Sequence, residues 1–200
     1  MCHRVSPLMF EELQLALDDL RVSGRARVPR RKPSVSVPDA YPGKEVPLFV
    51  ADQAGGLQVA SLVWGFQISV RGKSKLVFNT RMETALSQSR EGRGLWANAM
   101  NNGRCLVPVR GFYESYTRSR ERRATDVRFT MPGREVFLLA AVFDQGRFSV
   151  VTTQPNADVA PIHSRMPLVL GPGESSLWLG GQFGSLRDRS AIRLEAVVED

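Results

Sequence analysis

Two hundred residues, 42% hydrophobic and 24% charged, describe one globular domain able to bury a core without disulfide or structural metal. Disordered and collagen-like chains are excluded, and no apolar run approaches the roughly 18 residues of a membrane span. The net charge of +7 comes almost wholly from arginine, because the only lysines are Lys32, Lys44, Lys73 and Lys75. That bias fits a polyanion partner such as nucleic acid, and equally a GC-rich coding sequence.

The first residues, Met1 to Pro7, lack the apolar stretch of a signal peptide. Cys2 and Cys105 form no disulfide framework, so a reducing cytoplasm is expected. Ser6 reads as a helix cap with Pro7 as the first helical residue. Phe10, Leu13, Leu17 and Leu20 then recur at helical spacing until Gly24. Arg25 to Pro33 is a basic loop, read as a solvated surface in preference to a DNA contact. Val46–Val50, Leu57–Phe66 and Leu76–Phe78 read as strands, and Arg81–Asn101 as one or two helices interrupted around Gly92 and Gly94. Arg104–Val109 and Phe112–Tyr116 are β-rich, and Arg118–Asp126 is a charged hairpin or loop. Val127–Met131, Val136–Phe143 and Arg147–Thr153 complete a meander. Met166–Leu170 is a further strand, Glu174–Leu179 a short helix and Ile192–Val198 extended. Strands dominate without βαβ alternation, so the class is α+β.

Four features carry chemistry. Removal of Met1 would leave Cys2 with an amine and a thiol on adjacent carbons. Such a pair condenses with an aldehyde to a Schiff base and closes a thiazolidine ring. With Met1 retained, His3 in third position could instead wrap Cu(II) or Ni(II), a weaker reading because no other metal-ligand cluster is visible. Asn79-Thr80-Arg81-Met82-Glu83 lies at a strand-to-helix junction and is either an anion-binding corner or a capping box. Glu114, flanked by aromatics on a strand, is either a desolvated general acid–base or an ordinary edge glutamate. His163 sits in a polar turn bracketed by Pro161 and Pro167, next to Arg165, as either a fixed catalytic group or a surface residue.

Taken in order, these segments resemble the SRAP family, whose members crosslink themselves to abasic sites in DNA. The resemblance rests on Met1-Cys2-x-Arg4, Tyr41-Pro42-Gly43, Trp64-Gly65, Asn79-x-Arg81-x-Glu83-Thr84 and Arg104-Cys105-Leu106-Val107-Pro108. It continues through Gly111-Phe112-Tyr113-Glu114 and Ala160-Pro161-Ile162-His163-x-Arg165-Met166-Pro167. It implies a single domain over residues 1–200, with mixed and antiparallel sheets forming a barrel-like core flanked by a few helices. It also implies that Cys2 attacks the ring-opened sugar, with Asn79, Glu114 and His163 as the other catalytic residues. Arg4, Arg81 and Arg165 are implied to meet phosphates, Trp64 and Gly65 to form a shelf for a base, and Pro42 and Thr152 to line the cleft. The implied partner is single-stranded DNA containing abasic sites, engaged by a monomer in the cytoplasm (at the nucleoid in a bacterium), with no membrane, cofactor or metal. Peptidase and lyase activities are implied as well. The chain departs from the family pattern at His3 and Ser115, and its segment after Trp178 is short. An N-terminal cysteine hydrolase or amidotransferase, or a plain nucleic-acid-binding module, are the competing readings.

Overall fold

The computed structural model describes residues 2–23, 37–51, 56–117 and 124–199. Strand β1 (Arg4–Pro7) precedes helix α1 (Phe10–Ser23), then β2 (Glu45–Ala51) and β3 (Leu57–Trp64). A hairpin of β4 (Phe66–Val70) and β5 (Lys73–Val77) leads into the short β6 (Asn79–Arg81) and helices α2 (Met82–Glu91) and α3 (Ala97–Asn102). The long β7 (Arg104–Tyr116) is followed by β8 (Thr125–Thr130), β9 (Phe137–Asp144) and β10 (Arg147–Thr153). The chain ends with β11 (Met166–Pro167), β12 (Val169–Leu170), helix α4 (Glu174–Leu179), a 3₁₀ turn (Phe183–Arg187) and β13 (Glu195–Glu199).

Strands β7, β9, β10, β3 and β2 pair in that order, and β2 pairs again with β7, which closes a five-stranded barrel. The sheet is mixed: β10 runs parallel to β3 and β6, and the other pairs are antiparallel. Alternation along the barrel strands separates two cores. Cys105, Val107, Val109, Leu139, Ala141, Phe148 and Val150 join Trp64 and Phe112 in one cluster, the barrel interior. The intervening Leu106, Ala140, Val142 and Val151 join Met82, Leu86, Trp96, Met100 and Trp178 in the other, under α2, α3 and α4. With apolar partners on both faces, β7 reads as a nearly continuous buried run rather than an alternating one.

The α+β class and the barrel-like core stand as expected, but three local expectations change. Ser6 and Pro7 do not open a helix: they lie in β1, which pairs with β7 from Arg4 opposite Tyr113 to Pro7 opposite Val109. The helix begins at Phe10, where the Met9 amide donates to the Glu12 carboxylate at 2.9 Å. The two β-rich stretches around Val109 and Phe112 are one strand. The residues expected to separate two strands after Phe66 form the β4–β5 hairpin instead. The α2–α3 break falls where expected, with Gly92 and Gly94 at φ +65° and +102°, a backbone region closed to most side chains. The basic loop 25–33 and most of the charged segment 118–126 lie outside the described residues.

Candidate active site

The N-terminal segment is held against β7 by β1, and Cys2 just before it is fully buried. Asn79, the first residue of β6, donates from Nδ2 to the Cys2 carbonyl at 2.8 Å. The Cys2 thiol points back to the Arg4 carbonyl at 3.8 Å. Burial pushes its pKa well up, and the nearby Glu114 charge adds to the effect, so the group is a thiol rather than a thiolate at neutral pH.

Glu114 lies on β7 two residues beyond Phe112, wholly buried, and burial lifts its carboxyl to about 7. His163 places Nδ1 3.8 Å from Glu114 Oε2. The same nitrogen lies 2.9 Å from the Arg165 carbonyl oxygen and 3.0 Å from the Arg165 amide, so the backbone fixes the ring in either tautomer. Burial lowers the His163 pKa, leaving a neutral imidazole at pH 7. Cys2, Asn79, Glu114 and His163 thus converge from positions spread along the whole chain. The carboxyl titrates near neutrality and the imidazole carries no charge there. Such a pair can both supply and accept protons at physiological pH. Among the described residues, no group of His, Cys, Asp or Glu could hold a metal ion.

The expected anion-binding arginines differ in their surroundings. Arg81 is exposed at the β6–α2 corner. Arg165 is nearly buried, with both terminal nitrogens on the Glu83 carboxylate and one also on the Thr152 carbonyl at 2.8 Å. Glu83 therefore closes no capping box; α2 has no side-chain cap. The Arg165 hydrogen bonds hold the Glu83 carboxyl below its ordinary value. Arg4 is held by Asp39 at 2.6 Å, Asp126 at 3.3 Å and Glu199 at 3.5 Å, with its guanidinium 3.9 Å over the Tyr113 ring. These carboxylates lie up to 195 residues from Arg4 along the chain, a separation that leaves no local signal in the sequence.

Thr152 is buried on β10, opposite Arg81 in the β6 register, with its hydroxyl 3.4 Å from the Thr80 carbonyl. Gly65 follows Trp64 at the end of β3, and the Pro42 turn is tied to it: Gly43 donates to the Trp64 carbonyl at 2.7 Å. Trp64 itself is closed to solvent, stacked on Phe148 at 6.0 Å and donating from Nε1 to the Phe78 carbonyl at 2.9 Å. Its ring offers no face to a base in this structure; it braces the residue before Asn79 instead.

Glu83→Gln tests the buried arginine. The substitution leaves the Arg165 guanidinium without its counter-charge, and unfolding free energy is expected to fall by about 2 kcal/mol, less than a fully buried pair because Glu83 is partly solvated. A urea melt at pH 7 measures it, and an unchanged midpoint would show the pair to be incidental.

A family model described as SOS response associated peptidase (SRAP) matches residues 1–196. The chain is 26% identical over 186 residues to the abasic site processing protein YedK of Escherichia coli, covering 90% of this chain and 79% of that protein. It is 24% identical over 144 residues to the abasic site processing protein YoaM of Bacillus subtilis, covering 66% of this chain and 61% of that protein. A crystal structure from Bordetella bronchiseptica superposes with a TM-score of 0.68 at 22% identity, covering 100% of both chains. One from Bacteroides thetaiotaomicron gives 0.67 at 19% identity, covering 98% of this chain and 91% of that one.

Proposed function

Because the chain belongs to the SRAP family, we propose that it processes abasic sites in single-stranded DNA through a covalent thiazolidine link to Cys2. The observation that carries this reading is the juxtaposition of Cys2 with Asn79 and with a buried Glu114 facing a half-buried His163.

The chemistry balances without a redox partner. Once Met1 is removed, the Cys2 amine attacks the aldehyde carbon, a proton leaves nitrogen, and the carbinolamine oxygen receives one. That oxygen departs as water to give an imine. The sulfur then adds to the imine carbon while the nitrogen takes a proton, closing the five-membered ring. Each half of the sequence needs a group that gives a proton and later takes one back. Glu114, lifted to about 7, serves in that capacity, and the neutral His163 assists at the sugar oxygen. Asn79 fixes the terminus by its bond to the Cys2 carbonyl.

The raised thiol pKa favours amine-first chemistry over the competing N-terminal cysteine hydrolase, which requires thiolate attack on an amide at the outset. Exposed Arg81 is the readiest phosphate contact; Arg4 and Arg165 reach phosphate only by exchanging carboxylate partners. Of the cleft residues that the family resemblance implies, only Pro42 is partly exposed, while Gly65 and Thr152 are buried. Autoproteolysis and abasic-site lyase action would draw on the same amine.

Incubation of the protein with single-stranded DNA bearing one abasic site is expected to yield a heat-stable shifted band on a denaturing gel. Intact DNA of the same sequence is expected to yield none. If the abasic strand gave no band, the covalent reading would fall.

A further inference from the structure

The β4–β5 hairpin leaves the barrel at Gly65 and returns at Phe78, so both of its strands are rooted in the candidate site. Gly65 is pinned there by its own amide, bonded to the Phe148 carbonyl at 2.7 Å, and by Arg147, which donates to its carbonyl at 2.9 Å. The turn is Arg71-Gly72, with φ of +51° and +75°, between the paired Val70 and Lys73. Two successive positive φ values match the right-handed twist of a two-stranded ribbon, so the arm is a built hairpin and not a loose loop.

Its charge is one-sided. Residues 53–82 contain no Asp or Glu, although the whole chain has 20. The same stretch holds Arg71, Lys73, Lys75 and Arg81, and all four are exposed. Two of the protein's four lysines therefore sit on five residues of one arm. Arg71, Lys73 and Lys75 have no carboxylate partner among the described residues, in contrast to Arg4 and Arg165. The acids beside its root are Glu45, opposite Val63, and Asp144, opposite Arg147, and Asp144 accepts a bond from Asn98. Lys73 pairs with Val70 and Lys75 with Ile68, which puts both ammonium groups on one face beside two aliphatic side chains, Val70 being 46% exposed. From Lys73 to Arg81 the chain can span up to about 26 Å, several nucleotides of a single strand.

We propose that this hairpin is a second nucleic-acid contact: the phosphodiester backbone of the strand leaving the site runs along the face bearing Lys73 and Lys75. The inference rests on the reading that single-stranded DNA occupies the site, and it assigns the arm a role in affinity and not in chemistry. Free, strongly hydrated ammonium groups on a protruding arm suit a sequence-independent contact whose energy comes from counterion release.

The test is the double variant Lys73→Gln/Lys75→Gln. Both side chains are exposed, so the thermal midpoint is expected to stay at the wild-type value. Affinity for an intact single-stranded oligonucleotide is expected to fall about tenfold at low salt. The slope of log K against log salt is expected to flatten by about 1.4, two contacts at roughly 0.7 each. A charge-matched control, Arg134→Gln/Arg193→Gln, is expected to leave the slope unchanged. The first-order rate of covalent product formation on abasic DNA at saturating concentration is expected to be the same in variant and wild type.

An unchanged salt slope in the lysine variant, or an equal loss in the control, overturns the arm while leaving the crosslinking reading intact. Wild type that binds with a lysine-dependent slope and yet forms no product upholds the arm and sinks the crosslink. Wild type that does not bind the oligonucleotide at all overturns both.

Discussion

Cys2→Ser is expected to abolish the heat-stable product while leaving single-stranded DNA binding within about twofold of wild type. The retained binding follows because Cys2 is closed to solvent and the exposed cations proposed to meet DNA lie elsewhere, at Arg81 and along the hairpin. Chemically, the substitution keeps the amine and removes only the sulfur. The imine still forms, but a serine hydroxyl closes an oxazolidine that reopens in water, so nothing survives heating. Borohydride separates the two halves of the reaction. It reduces the imine to a stable secondary amine, so the variant should be trapped when the reductant is present and free when it is absent. A stable band from Cys2→Ser without reductant would move the covalent step to another nucleophile. Cys105 is a poor alternative: it is buried in the barrel, and burial alone drives its thiol pKa far upward.

How much of this was legible in the sequence depended on how local each interaction is. The α2–α3 break was readable because a glycine with positive φ leaves its mark at its own position. The strand-to-helix corner at Asn79 was readable for the same reason. The start of the chain was not. Ser6-Pro7 has the composition of a helix entrance, yet the Ser6 hydroxyl donates to Asp39 at 2.5 Å and its strand pairs with residues more than a hundred positions away. Long-range pairing outweighed local propensity there. The β4–β5 hairpin was hidden by its turn, since Arg71 occupies a positive-φ position usually given to Asn, Asp or Gly. The β9–β10 turn at Gln145-Gly146 uses the same geometry but joins strands apolar enough to be seen.

The site divides along similar lines. Cys2, Asn79, Glu114 and His163 could each be picked out by residue type and neighbours, and the fold brings them to one place. What the sequence could not show was which cations are already satisfied. Arg165 looks like a free anion contact until Glu83, 82 residues away, is found holding it. Trp64 looks like a stacking platform until Phe148 is found covering its face.

Glu114→Gln separates the catalytic from the structural role of the buried carboxyl, because the two predict opposite signs. The wild-type carboxyl is raised from 4.5 to about 7 by burial, so the folded state binds its proton more tightly than the unfolded chain does. Stability therefore declines as pH rises through the window between 4.5 and about 7, and the full cost above that window is about 3 kcal/mol. Glutamine resembles the protonated acid and carries no such penalty. The variant should match wild type near pH 4.5 and exceed it by up to about 3 kcal/mol at pH 8, read from urea melts at the two pH values. Over the same range it should lose function. Without a group that gives and then takes a proton, covalent product should form about a hundredfold more slowly at pH 7. The wild-type rate profile should bend near pH 7, and that bend should be absent in the variant. A variant that is both more stable at pH 8 and slower identifies a carboxyl kept in place for its chemistry at the expense of the fold. A variant with the wild-type rate and profile would show that Glu114 moves no proton, whatever it does for stability.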